Sequence, residues 1–333
     1  MASPPKPAKS VIVGEVSCAV SSSIDHKGDD KSPSPEDENK EEFDFTTIDA
    51  NELDVNLNHF RIKEIGDLSH LKQVEIICFR NNLINKIQNL HSLKNLRELE
   101  LYDNQITVIE NLDELCNLET LDLSFNRIQK IENLEKLINL RNLFFVNNRI
   151  EKIEGLGTLV NLEMLELGAN RIRKIENLDK LVLLKKLFLG KNKISKLENI
   201  SCLEKLELLS IQSNRLIKIE NLSNNVNLRD LYMSHNGVTK IENLENNKLL
   251  ETLDLAENKI EKIENISHLT ELEDLWLNDN KISNWADIEQ LKVLKLGTLY
   301  LERNPLQEDP MYRKKLMMLL PSLKQIDATL CRA

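Results

Sequence analysis

The chain has 333 residues, a formal charge of −10 and an aromatic content of only 4%. No run of about 18 apolar residues occurs, which excludes a transmembrane helix, and the acidic balance argues against nucleic acid as a partner. The five cysteines (Cys18, Cys78, Cys116, Cys202 and Cys331) are scattered and form no CxxC pair. That spacing suggests neither a disulfide framework nor a zinc site, and points to a reducing compartment.

In chain order, residues 1–48 read as a disordered acidic tail. The stretch GDDKSPSPEDENKEEFDF (28–45) combines low hydrophobicity, proline and like charge, and cannot bury enough apolar area to offset its ordering entropy. Ser32 and Ser34 precede prolines among acids and are candidate phosphorylation sites. Near the start, the apolar patch from Val11 to Val20 is interrupted by Gly14, Glu15 and Ser17, which makes a poor signal-peptide core.

Asparagines recur every 22 residues from Asn82 to Asn280, and Asn304 follows after 24. With a degenerate unit ahead of them, where Phe60 stands in the Asn place, the pattern makes about twelve units. Their template is LxxLxLxxNxIxxIENLxxLxx, the leucine-rich-repeat signature, and a fixed period of this length marks a solenoid. The expected fold is therefore an α/β solenoid over residues 49–303, with a parallel concave sheet and a short helical or 3-10 convex side.

Each template position then has a physical role. Positions 4 and 6 turn inward from a short strand. The Asn at position 9 satisfies backbone groups where the chain leaves the sheet. The Asn at position 16 is expected to cap a short helix or 3-10 turn. A single unit cannot bury its own apolar face, so both ends need caps. The sequence LDVNLNHFRIKEI (53–65) supplies the first. Residues 304–333 supply the last, with Tyr312, Leu316, Leu319 and Leu320 on a helix over the final coil.

Position 5 points away from the core, onto the open sheet face. Along the solenoid it reads Cys78, Glu100, Asp122, Phe144, Glu166, Phe188, Ser210, Tyr232, Asp254, Trp276 and Tyr300. Nine of these eleven are acidic or aromatic in a chain poor in aromatics, which is the composition of an interface centre. Glu98, Tyr102, Asp103, Phe125, Asp230, Asp274, Asp279 and Glu302 flank the stripe. With strands about 4.8 Å apart, eleven gaps give an arc of about 53 Å, enough to hold a folded domain bearing basic residues beside apolar pockets. By contrast, eight lysines at position 13 and eight glutamates at position 15 balance each other and read as a solvated ridge.

No P-loop, GxGxxG, HExxH or GxSxG motif is present, and the six histidines are far apart. Of these only His235 falls on the open face. Asp254 and Asp274, on adjacent strands, have the chemistry of an acid–base or metal pair, but partner recognition explains them more simply. No enzyme, cofactor or metal site is expected.

Four stretches carry a closer likeness: LYDNQITVIENL (101–112), MLELGANRIRKIENL (164–178), LFLGKNKISKLENI (187–200) and YLERNPLQEDPMYRKKLMMLLPSLKQIDAT (300–329). With them the chain resembles the leucine-rich-repeat regulatory subunits of protein phosphatase 1 over roughly residues 50–330. The resemblance implies a non-catalytic partner of the protein phosphatase 1 catalytic subunit. It implies that the concave face holds the phosphatase away from its active-site metals. It further implies a link to an inactive, metal-deficient form during maturation, phosphatase inhibitor 3 as a third member, a role in mitotic dephosphorylation, and residence in nucleus and cytoplasm. The family's contact residues fall on Asp122, Phe144, Glu166, Phe188, Asp254, Trp276 and Tyr300. An eighth is a Glu in the family and Asp274 here, one methylene shorter.

The competing reading is a general repeat scaffold of another intracellular complex, splicing or ciliary, built on the same architecture. A catalytic or GTPase-activating role lacks a nucleophile–base pair. An extracellular receptor lacks cysteine-bearing caps.

Overall fold

The computed structural model describes residues 43–331, so most of the expected tail, with Ser32 and Ser34, lies outside the described residues. Twelve three-residue strands, β1 (Asp54–Asn56) through β12 (Thr298–Tyr300), form one parallel sheet in chain order. Ten steps of 22 residues and a last one of 24 separate them, so the solenoid has eleven complete coils. The register never slips: Leu121 faces Leu143, Leu143 faces Leu165, and so on along the sheet. It cannot slip by one residue, because every inward leucine would then point to solvent.

Seven inward side chains per coil build the core. In one coil they are Leu140, Leu143, Phe145, Ile150, Ile153, Leu156 and Leu159, all 0% exposed. The asparagine at position 9 ties each coil to the one before it. Asn170 donates from Nδ2 to the carbonyls of Phe145 (2.8 Å), Leu167 (3.1 Å) and Gly168 (3.1 Å), and its Oδ1 accepts from the Ile150 N–H at 3.0 Å. One amide thus satisfies four backbone groups buried where the chain bends. This geometry also explains Phe60. The asparagine reaches backward, the first coil has no predecessor, and Phe60 is free to sit half-exposed against Phe43, ring centroids 4.8 Å apart.

The convex side differs from expectation. The regular coils return through isolated turns, such as Leu115 N–H to Leu112 C=O and Leu118 N–H to Leu115 C=O, with no continuous helix. The asparagine at position 16 does not cap a helix. It sits in the left-handed region (Asn111 φ 59°) and donates across to the preceding coil, Asn111 Nδ2 to Ile87 C=O at 2.6 Å. A two-turn return is too short for a helix, so the amide bridges coils instead. Gly155 takes this place in one coil at φ 70°, the conformation in which glycine carries no Cβ penalty. A third row follows at position 22, where Asn117 donates to Lys94 C=O at 2.9 Å.

Within the coils of the described residues, helix forms where the repeat is broken. The two extra residues before β12 are taken up by α1 (Trp285–Ile288), capped by Asn284 Oδ1 from the Ala286 N–H, and by a 3-10 turn at Glu289–Val293. Beyond β12, α2 (Tyr312–Leu319) lies on the end of the core with Tyr312, Leu316 and Leu320 buried and Leu319 partly so. Asp327 then acts as a terminal asparagine: its Oδ1 accepts from the Leu301 and Glu302 N–H groups at 2.8 and 2.9 Å. The strands β13 (Gln325–Ile326) and β14 (Thr329–Leu330) end the sheet with an antiparallel pair.

At the other end, the boundary placed at residue 48 falls inside a packed segment. Phe43, Phe45 and Ile48 lie on the core, and Phe45 is only 8% exposed. Gly66 makes room for it: a Cβ there would meet the Phe45 ring at 2.4 Å. The acidic composition around these residues masks two aromatics that cover the first coil.

Candidate protein-binding face

The parallel register sets the position-5 side chains in line on the open face of the sheet. Asp122, Phe144, Glu166 and Phe188 are direct cross-strand neighbours, as are Asp254, Trp276 and Tyr300. Ser210 and Tyr232 fill the strands between the two groups. Asp274 shares a strand with Trp276 two residues away, facing Thr252 and Thr298. The sheet therefore brings all eight candidate residues onto one surface, in two clusters.

Exposure along that surface is uneven, although position 5 points onto the open face throughout. Phe144, Glu166, Phe188, Asp274, Trp276 and Tyr300 are half-buried, whereas Asp122 (8%) and Asp254 (5%) are buried. A short carboxylate between larger neighbours only one strand spacing away is shaded from solvent. Each acid also binds its own strand end. Asp122 Oδ1 accepts from the Ser124 N–H at 2.9 Å, Asp254 Oδ1 from Ala256 at 3.0 Å, and Glu166 Oε1 from Gly168 at 3.0 Å. Gly168 permits the last of these, since a Cβ there would lie 2.7 Å from Glu166 Oε1.

Burial dominates the electrostatics. Desolvation raises the Glu166 carboxyl to about 7 and the Asp254 carboxyl to about 6, with hydrogen bonds (Gly168 N–H to Glu166; the Ser234 hydroxyl and Ala256 N–H to Asp254) pulling the other way too weakly to compensate. Burial also raises Asp122 and Asp230, and pushes the Tyr232 hydroxyl up to about 12. Ionised carboxylates are thus costly on this partly dehydrated surface by themselves, and a cation from outside gains more there than it would in water.

The clusters differ in how they are balanced. At the N-terminal end, Arg80 lies 2.9 Å from Glu100 and 3.5 Å from Asp122, with its guanidinium 5.2 Å above the Tyr102 ring. Tyr102 in turn stacks on Phe125. Among the described residues nothing comparable reaches Asp254 or Asp274. There the rings of Tyr232, Trp276 and Tyr300 pack in sequence, centroids 6.2 and 5.9 Å apart, and the buried Trp276 Nε1 has no hydrogen-bond partner among the described residues. The Arg80 clamp and the Tyr232 stacking are additions of the structure. Arg80 reaches a carboxylate 42 residues away, which only the coil-to-coil register makes a neighbour.

His235 is exposed, with Nδ1 2.8 Å from Glu257 Oε2. Among the described residues no group of three or more His, Cys, Asp or Glu is placed to hold a metal ion, and no helix is long and apolar enough to cross a membrane.

Comparison with known proteins agrees with this architecture. A family model described as leucine-rich repeats (2 copies) matches residues 94–136, 138–180, 226–268 and 248–292. Protein phosphatase 1 regulatory subunit 7 of Danio rerio is 68% identical over 37 residues, 11% of this chain and 11% of that protein. The Homo sapiens protein of the same name is 68% identical over 37 residues, 11% of this chain and 10% of its own length, so the matched stretch spans only about a tenth of these relatives. The crystal structure of an internalin from Listeria monocytogenes, 24% identical, superposes with a TM-score of 0.66 over 83% of this chain and 86% of that one, a likeness of fold. The 22-residue period, the unbroken parallel register, the asparagine at each bend and the matched repeat model together establish a leucine-rich-repeat fold.

Proposed function

We propose that the chain is a non-catalytic regulatory subunit that binds the catalytic subunit of protein phosphatase 1 through this acid–aromatic sheet face and controls its activity or maturation. The observation that carries the reading is the C-terminal cluster: two carboxylates with no cation among the described residues, a run of three packed rings, and an indole N–H with no acceptor there, all on one rigid surface. The relatives named above supply the partner, since a phosphatase subunit appears in their names. Phosphatase inhibitor 3 as a third member, and a role in nucleus and cytoplasm, belong to the same proposal.

The face suits a partner that brings a basic group to Asp254 and Asp274 and an acceptor to Trp276. Asp122, Phe144, Glu166, Phe188 and Tyr300 extend the contact along the sheet. Isothermal titration of the full chain against the purified catalytic subunit tests it. Trp276→Ala and Phe188→Ala should each weaken binding by about 2 kcal/mol or more, roughly thirtyfold, as central aromatic anchors do. Wild-type affinity in both variants, or recovery of a different complex with the phosphatase absent, overturns the assignment.

A further inference from the structure

A second charged feature runs along the edge where each coil leaves the sheet. Position 10, the residue after the bend asparagine, is Arg127, Arg149, Arg171, Lys193 and Arg215 in five consecutive coils. Their backbone N–H groups each donate to the preceding coil, Arg149 to Ile128 C=O and Arg171 to Ile150 C=O at 2.8 Å, so the row is held at strand-like spacing. The four arginines are exposed and Lys193 is half-buried.

This row is largely uncompensated. The ion pairs among the described residues include one member of it, Arg171, whose guanidinium is 4.0 Å from Glu151. Neighbouring rows behave otherwise. At position 13, Lys130, Lys152 and Lys196 meet the position-15 glutamates of their own coils at 2.8, 3.4 and 3.7 Å. At position 2, basic and acidic residues alternate from coil to coil and pair. Like charges stacked on adjacent coils repel, so repetition of position 10 does not serve the fold.

We propose that this row is a second docking edge, distinct from the open sheet face, which takes an extended acidic peptide segment of a partner protein. The dimensions favour a peptide over nucleic acid. Four coil spacings of about 4.8 Å span about 19 Å, the length over which an extended segment of about seven residues presents four side chains on one face. On one side the row is followed by the position-13 lysines, three of them neutralised by the position-15 glutamates, and on the other lie the acids of the sheet face. A duplex, whose major groove alone is about 12 Å wide, would bring its phosphates against those acids.

The experiment is fluorescence anisotropy of a labelled dodecaglutamate peptide with the full chain. Saturable binding is expected at about 20 mM salt and should be largely lost at about 300 mM, as screening removes exposed charge attraction. Arg149→Gln/Arg171→Gln/Arg215→Gln should weaken it at least tenfold. Lys130→Gln/Lys152→Gln/Lys196→Gln, an equal loss of charge from the paired row, should leave it within twofold, as should Trp276→Ala. Melting temperatures of both triple variants should stay at or above wild type. Should the first variant unfold, Arg127→Gln/Arg149→Gln provides the same reading. No saturable binding, equal loss in the two triple variants, or tighter binding of an oligothymidylate of equal length each overturns the proposal. None of these outcomes depends on the phosphatase reading.

Discussion

Two kinds of stripe run along this solenoid, and they differ in whether the next coil answers them. At position 2 the charges alternate: Arg97 pairs with Glu119 (2.5 Å), and Glu163 is held by both Arg141 and Lys185 (2.6 Å each). At position 9 each asparagine is fully used, between carbonyls at its own bend and backbone groups of the coil before it. Position 5 has the same spacing and the same rigid backbone, but there Asp254 is flanked by Tyr232 and Trp276, and neither neutralises it. The closed stripes hold the coils in register, and the open one is left with unspent charge and apolar surface. A repeated position that satisfies itself is structural; one that the repeat leaves unsatisfied is where a partner gains most.

The sharpest break in that contrast comes from opening a closed stripe in the core. Asn170→Ala removes the partner of three carbonyls and one N–H, all buried, and should cost about 4 kcal/mol. The same change at Asn161, an edge amide with a single carbonyl partner, should cost about 1 kcal/mol. Thermal unfolding of the two variants side by side measures the difference.

The open stripe should respond in the opposite sense. Because burial raises Glu166 from an ordinary 4.5 to about 7, the folded state holds its proton more tightly than the unfolded chain. Stability from this group therefore falls as pH rises from about 4.5 to about 7, and the whole cost stands above that. Glu166→Gln should stabilise the chain at pH 8 by roughly 3 kcal/mol and leave it unchanged near pH 4. Urea melts at the two pH values test this. A cationic partner would reclaim the carboxylate, so its affinity should fall as pH drops from about 8 to about 5.5.

The smallest effect belongs to the charged edge. Glu163→Lys converts the alternation Arg141–Glu163–Lys185 into three adjacent cations. As these pairs are solvent-exposed, the loss should be about 1 kcal/mol at low salt and should shrink towards zero near 1 M. A loss that persists in high salt would mean that packing, not charge, holds this edge.

Much of this was written locally. The 22-residue period determined the strands, the inward leucines, the asparagine at each bend and the existence of an open face, because each coil repeats the same chemistry and the only partner it needs is its neighbour. The alternation at position 2 lies in the sequence as charge at a fixed spacing, but its meaning as a row of ion pairs emerged only from the stacked coils. Other features depended on the fold. Whether the convex return formed helix or turns was decided by how much chain remained to span it, and the asparagine at position 16 became a bridge between coils. Arg80 meeting Asp122, Phe45 settling over Gly66, and the burial that raises Glu166 and Asp254 all arise from residues that stacking makes neighbours. Sequence spacing specifies which side chains share a row. Only three-dimensional packing settles how much water each retains and which opposite charge comes within reach.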